Sequence, residues 1–113
     1  MRVLKIDAVN RVITEHDEPG SLEDIQGWVG GWIEAAITFP NSDVVYVNEE
    51  GLFNDPQHFF HFPMAGTQPF AGNGYVIGAD FSSGENKPAE TTLDWLKDSV
   101  VFLGIDDVKK MYE

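Results

Sequence analysis

The fold is decided by a change of backbone structure within WVGGWIEAA, residues 28–36. The apolar spacing before it predicts an amphipathic helix that begins at Leu22, with Ser21 as its N-cap residue. Glycine adopts a left-handed conformation without steric cost, so Gly30 and Gly31 are expected to end this helix. The chain then passes directly from a helix into a sheet.

Two strands are predicted after the paired glycines. From Trp32 to Phe39, apolar residues alternate and place Ile33, Ala35, Ile37 and Phe39 on one face. The turn residues PNSD, 40–43, separate this strand from a second one at Val44–Val47. We therefore expect the two strands to pair antiparallel.

The rest of the chain divides into short elements. Alternation predicts strands at Arg2–Val9, Arg11–Glu15 and Gly74–Asp80, the first two as a hairpin. Three prolines break up an aromatic segment after Gly51, where one short helix is expected near Gln57–Phe62. The predicted fold is α+β: one domain, residues 1–113, with a mainly antiparallel sheet of four or five strands. Two helices, Leu22–Gly30 and Thr92–Leu103, are expected to pack on it.

Composition restricts the class of partner. Nineteen acidic and seven basic side chains give a formal charge of −12, which repels the phosphate backbone of nucleic acids and anionic lipid surfaces. No apolar run approaches the length of a membrane span, and there is no cysteine for disulfides or thiolate metal sites. We therefore expect a protein of the cytoplasm that binds neither nucleic acid nor membranes, and whose acidic surface suits a basic protein partner.

Titratable residues give only weak evidence of metal binding or catalysis. His58 and His61 would share one face of a helix, but no third metal ligand stands at a recognisable spacing, so neither a metal site nor a cofactor is predicted. Glu34 lies among apolar residues of a strand, where a carboxylate marks either a site or a satisfied internal hydrogen bond. No nucleophile stands beside a base, so no catalytic residue is assigned.

The segment NEEG, residues 48–51, has the composition of a chain reversal. Asn48 is expected to bond to nearby backbone and Gly51 to take a positive φ. Glu49 and Glu50 are adjacent and would point apart, which disfavours a paired-carboxylate site.

Aromatic residues are numerous for a chain of this length. Exposed rings give a large contact area at low entropy cost, as protein-binding surfaces require. If these rings are instead buried, they fill the core or a homodimer interface. The candidates for binding are Trp28, Trp32, Phe59, Phe60 and Phe62.

Three segments carry a resemblance to a known family. These are VGGWIE at 29–34, NEEG at 48–51 and the late strand around Gly74–Gly78. Together they resemble a small domain family without an assigned function, which is common in phages, plasmids and other mobile elements. The family usually continues after NEEG with Lys-Leu and later Pro-x-Asn, whereas this chain has LFNDP, residues 52–56.

The resemblance implies an accessory protein of a phage or mobile element. The favoured function is non-enzymatic binding of a host protein in the host cytoplasm, with counter-defence as one form of it. The candidate contacts are the aromatic residues above with Glu34, Asn48 and Glu49. One alternative is a protein that binds or sequesters a small anionic ligand such as a nucleotide signal. Its affinity would depend on basic residues near the two ends of the chain, because none lies between Arg11 and Lys87. Another alternative is an enzyme that uses Glu34 or the pair His58 and His61.

Overall fold

Nine strands and three α-helices make up the chain, and a computed structural model describes all of its residues, 1–113. The strands are β1 (Arg2–Asp7), β2 (Val12–Asp17), β3 (Ile33–Thr38), β4 (Asp43–Asn48), β5 (His58–His61), β6 (Phe70–Ala71), β7 (Gly74–Asp80), β8 (Glu85–Lys87) and β9 (Val101–Gly104). The helices are α1 (Leu22–Val29), α2 (Leu93–Ser99) and α3 (Ile105–Met111). The α+β class predicted from the sequence is confirmed.

Helix α1 begins and ends as its sequence predicts. The Ser21 hydroxyl accepts the Asp24 N–H at 3.1 Å, and the Asp24 carboxylate accepts the Ser21 N–H at 3.2 Å. This reciprocal pair satisfies two backbone donors that a helix start leaves free. At the other end Gly30 has a φ of 89° and its N–H donates to the Gln26 carbonyl, so the predicted glycine stop is confirmed.

The larger sheet has six strands and is antiparallel throughout. Its order is β2-β1-β7-β4-β3, and β8 adds to the end of β7. The predicted pairing of β3 with β4 is confirmed. Strand β3 lies at one edge of this sheet and β2 at the other, so both expose one row of unpaired backbone groups.

A β-bulge in β3 overturns the predicted face pattern of this strand. Ala35 pairs with Tyr46, but Ile37 pairs with Val45, so Ala36 is one extra residue. Because side chains alternate along a strand, one inserted residue moves everything after it to the opposite face. Ile33 therefore packs on the α1 side of the sheet, and Ile37 packs on the other side.

The larger sheet separates two apolar cores. On one face α1 covers a small core, whose buried members are Val3, Ile25, Val29, Tyr75 and Ile77. On the other face lies the main core, to which α2 and β5 contribute. Its buried members are Leu4, Ile6, Ile13, Val45, Val47, Phe60, Phe62, Val76, Leu96 and Val100.

A second sheet replaces one predicted helix and shortens another. Residues 57–62 do not form a helix, because β5 pairs with β6 on one side and β9 on the other. The predicted helix Thr92–Leu103 ends at Ser99, and the chain then extends into β9. Tertiary pairing thus overrides the apolar helical spacing of Leu96, Val100 and Leu103. None of the three helices is long and apolar enough to span a membrane.

Candidate functional site

The segments VGGWIE, 29–34, and NEEG, 48–51, meet at the open edge of the larger sheet. Trp32, just before β3, uses its carbonyl to accept the Glu49 N–H at 2.8 Å. The Asn48 side chain accepts the Glu50 N–H at 2.8 Å, as the composition of the reversal predicts. The edge strand and the reversal after β4 are thereby joined.

The glycines at this edge leave close neighbours little room for a Cβ. A Cβ on Gly31 would lie 3.0 Å from Nδ2 of Asn48, and a Cβ on Gly51 would lie 3.1 Å from the Ala71 carbonyl oxygen. The predicted positive φ at Gly51 is wrong, because this residue instead begins a 3₁₀ turn, Gly51–Phe53. A larger residue there would press against β6, which approaches closely.

A recess of about 240 Å³ opens beside this reversal, and we call it the edge recess. Its acidic side chains are Glu34 and Glu49, and no basic residue lines it. Apolar residues and two amides, Asn48 and Gln68, supply the rest of its wall. The lining residues are Glu34, Ala35, Ala36, Val47, Asn48, Glu49, Leu52, Gln68, Pro69 and Phe70.

Large apolar side chains are exposed around the edge recess. Trp32 is 68% exposed, and Leu52 and Phe53 of the 3₁₀ turn are 66% and 86% exposed. Removing such side chains from water is favourable, so their exposure near an unpaired strand edge is a notable feature of this surface. Of the predicted site residues, Trp32, Glu34, Asn48 and Glu49 are therefore brought together.

The other predicted contact residues lie elsewhere. Phe59, Phe60 and Phe62 are buried, so their assignment to an exposed binding surface is wrong. Phe60 and Phe62 pack edge to face in the main core, with ring centroids 6.0 Å apart. Trp28 packs on the small core, and its indole N–H donates to the Gly74 carbonyl at 2.8 Å.

The two histidines do not form a pair. They lie in β5, where residues three apart point to opposite faces. Nε2 of His61 lies 2.7 Å from the Thr67 carbonyl oxygen and donates its proton to it, so this nitrogen is not free to bind a metal. No three His, Asp or Glu residues lie close enough together to hold a metal ion. The shared helical face expected for His58 and His61 is therefore wrong.

Almost the whole chain matches a known family. The family model of a domain of unknown function, DUF3846, matches residues 1–106. The chain belongs to this family. No curated protein and no solved structure matches the sequence.

The candidate site of this DUF3846 domain includes residues that were not predicted from the sequence. Leu52 and Phe53 stand where the resembled pattern has Lys-Leu, and this departure is the local signal that could have singled them out. Gln68, Pro69 and Phe70 reach the edge recess only because β6 pairs with β5. No local pattern in residues 68–70 predicts that position.

Proposed function

We propose that the domain is a non-enzymatic binding module that docks a basic protein partner on the open edge of β3. The observation that carries this proposal is the edge recess, which has two carboxylates and no cation and lies beside exposed Trp32, Leu52 and Phe53. A Lys or Arg side chain fits such a site, because its stem is apolar and its head is cationic.

The backbone of β3 adds a second element of recognition. Its outer row of N–H and C=O groups has no partner in the sheet, so an extended segment can pair with it as an added strand. The bulge between Ala35 and Ile37 limits this pairing to a short stretch. The partner we propose is therefore a short extended segment with a basic residue and an apolar residue.

The net charge of −12 supports the same partner. Long-range attraction speeds the encounter of an acidic surface with a basic one, while buried rings slow the dissociation of the complex. The resemblance of residues 29–34 and 48–51 to domains of phages and plasmids supports a host protein as the partner. On this proposal the protein acts in the host cytoplasm, and counter-defence is one role that such binding would serve.

The test is capture of partners with matched variants. Tagged wild-type protein, the double variant Glu34→Gln/Glu49→Gln and the double variant Trp32→Ala/Phe53→Ala are expressed in the host, and co-purifying proteins are identified by mass spectrometry. Phe81→Ala is the control, because Phe81 is similarly exposed but follows β7, away from this edge. We expect one basic protein with the wild type and the control, and its loss with both double variants.

Binding kinetics then separate charge from contact. With the purified partner, added salt should mainly slow association, and Trp32→Ala should mainly hasten dissociation. Equal capture by all four proteins would overturn the proposal, as would a partner whose own surface is acidic.

A further inference from the structure

A second concave site lies at the opposite edge of the larger sheet. It is a groove of about 450 Å³ between the β1–β2 hairpin and the segment that joins α2 to β9, and we call it the cationic groove. Buried Ile13 and Val100 form its apolar floor, and half-buried Phe102 contributes a ring. The lining residues are Arg11, Val12, Ile13, Thr14, Lys97, Val100 and Phe102.

Two unpaired cations line this groove. Of the other basic side chains, Arg2 binds Glu15 at 2.6 Å and Lys5 binds Glu18 at 3.2 Å, whereas Lys87, Lys109 and Lys110 are also unpaired but lie outside the groove. Arg11 and Lys97 form neither a hydrogen bond nor an ion pair with any residue of the chain, and no acidic residue lines the groove. The chain has a net charge of −12, yet the only charged residues of this groove are cations. Such a local positive charge favours a negatively charged ligand.

Asp107 is an acidic residue near the Arg11 end of the groove. Its Oδ2 and the Arg11 guanidinium both lie near Gly104. That oxygen, however, accepts the Gly104 N–H at 2.8 Å and forms no ion pair with Arg11. The guanidinium therefore keeps its donors for another acceptor.

The backbone conformation of Arg11 also favours a binding role for its side chain. Its φ is 56°, in the left-handed region that costs an L-residue free energy and that glycine adopts readily. Glycine at this position would remove that cost. The arginine side chain thus stands in the groove at a cost to the stability of the hairpin.

We propose that the cationic groove binds a small organic anion with a planar ring. Arg11 offers a planar fork that matches a carboxylate or a phosphate, and Lys97 adds a second positive charge. The ring would lie on Phe102 and on the floor of Ile13 and Val100. The volume is that of sites for small molecules. This site is independent of the edge recess, because β2 and β3 are at opposite edges of the sheet.

The test is an NMR titration of ¹⁵N-labelled protein with anionic probes and their neutral counterparts. Adenosine monophosphate is compared with adenosine, and indole-3-acetate with indole, so that phosphate and carboxylate ligands are distinguished. We expect at least one anion to shift the amides of Ile13, Thr14 and Phe102 and to bind at least about fivefold more tightly than its neutral counterpart.

Variants decide whether the groove is the site. Arg11→Gln and Lys97→Gln should each weaken binding of that anion about tenfold. Lys110→Gln removes the same charge from exposed α3, outside the groove, and should leave the affinity unchanged. Arg11→Gly should abolish tight binding while raising the thermal midpoint, which separates loss of the site from loss of the fold.

Three results would overturn the proposal. They are equal affinity for anions and neutral counterparts, no binding of either anion, or an equal weakening by Lys110→Gln. None of them bears on the binding of a protein at the edge recess, which is measured with different variants.

Discussion

Asp43 is the one charged residue among the buried side chains. Its carboxylate accepts the Glu90 N–H at 3.0 Å, the Thr91 N–H at 2.7 Å and the Thr91 hydroxyl at 2.6 Å. These bonds tie the start of β4 to the segment before α2. A buried carboxylate of this kind is stabilising because both of its oxygens accept hydrogen bonds.

Replacing Asp43 by Asn should lower the free energy of unfolding by about 2–3 kcal/mol. The amide NH₂ would take the place of one carboxylate oxygen, so a donor would face donors. Urea denaturation measures the loss. Asp98→Asn is the control: Asp98 is exposed and makes no side-chain hydrogen bond, so its change should stay within about 0.5 kcal/mol. Similar losses for both variants would show that the Asp43 bonds contribute little.

Gly30 and Gly27 allow a matched test of backbone strain in one helix. Gly30 has a φ of 89°, so Gly30→Val should cost on the order of 1–2 kcal/mol. Gly27 lies within α1 with no neighbour near an added Cβ, so Gly27→Ala should stabilise by about 0.5–1 kcal/mol. Thermal or urea unfolding of both variants checks the opposite signs, and a destabilised Gly27→Ala would contradict the account.

Among the elements, the β1–β2 turn makes stability depend on pH. Partial burial raises the pKa of Asp7, but hydrogen bonds from the backbone and side chain of Asn10 outweigh it and hold this pKa below the usual 3.8. A lowered pKa in the folded state means that the bonds stabilise the fold above about pH 4. This contribution is lost as the pH falls through the folded pKa.

We therefore expect the wild type to lose more stability between pH 5 and pH 2.5 than Asp7→Asn does. The measurement is the urea midpoint of both proteins at both pH values. Other carboxylates titrate in the same range, including Asp80, whose pKa the Ser82 hydroxyl lowers, so the comparison between the two proteins carries the prediction. Parallel loss in both proteins would remove Asp7 as a source of the pH dependence.

At the same scale, local signals account for α1 and β3 but fail for β5 and β9. The capping pair at Ser21 and the stop at Gly30 act within a few residues, so the sequence shows them directly. The end of α2 at Ser99 depends on pairing between β9 and β5, which lie some 40 residues apart in the chain. The residues next to Ser99 in the sequence do not reveal that a distant strand will pair with them.

For the whole molecule, the charge of −12 should oppose folding through self-repulsion. Only three ion pairs offset it, and all of them involve residues at the start of the chain. Raising NaCl from 0.05 to 0.5 M should therefore stabilise the protein, on the order of 1 kcal/mol, because salt screens the repulsion.

Thermal unfolding at constant pH measures this effect. Potassium chloride should act as sodium chloride does, since screening depends on ionic strength and not on the identity of the cation. A midpoint that falls with salt would show that the few ion pairs outweigh the general repulsion.

The sequence by itself determined the α+β class, the helix–glycine–strand passage at 22–38, the hairpin at the N-terminus and the acidic surface. Each depends on periodicity, capping or composition, which act over short distances along the chain. Four residues of the candidate site, Trp32, Glu34, Asn48 and Glu49, were also predicted. Only the tertiary structure decided that Phe59, Phe60 and Phe62 are buried and that Gln68, Pro69 and Phe70 complete the edge recess. Burial and site assembly depend on which distant segments pair, and that choice is made by the free energy of the whole fold.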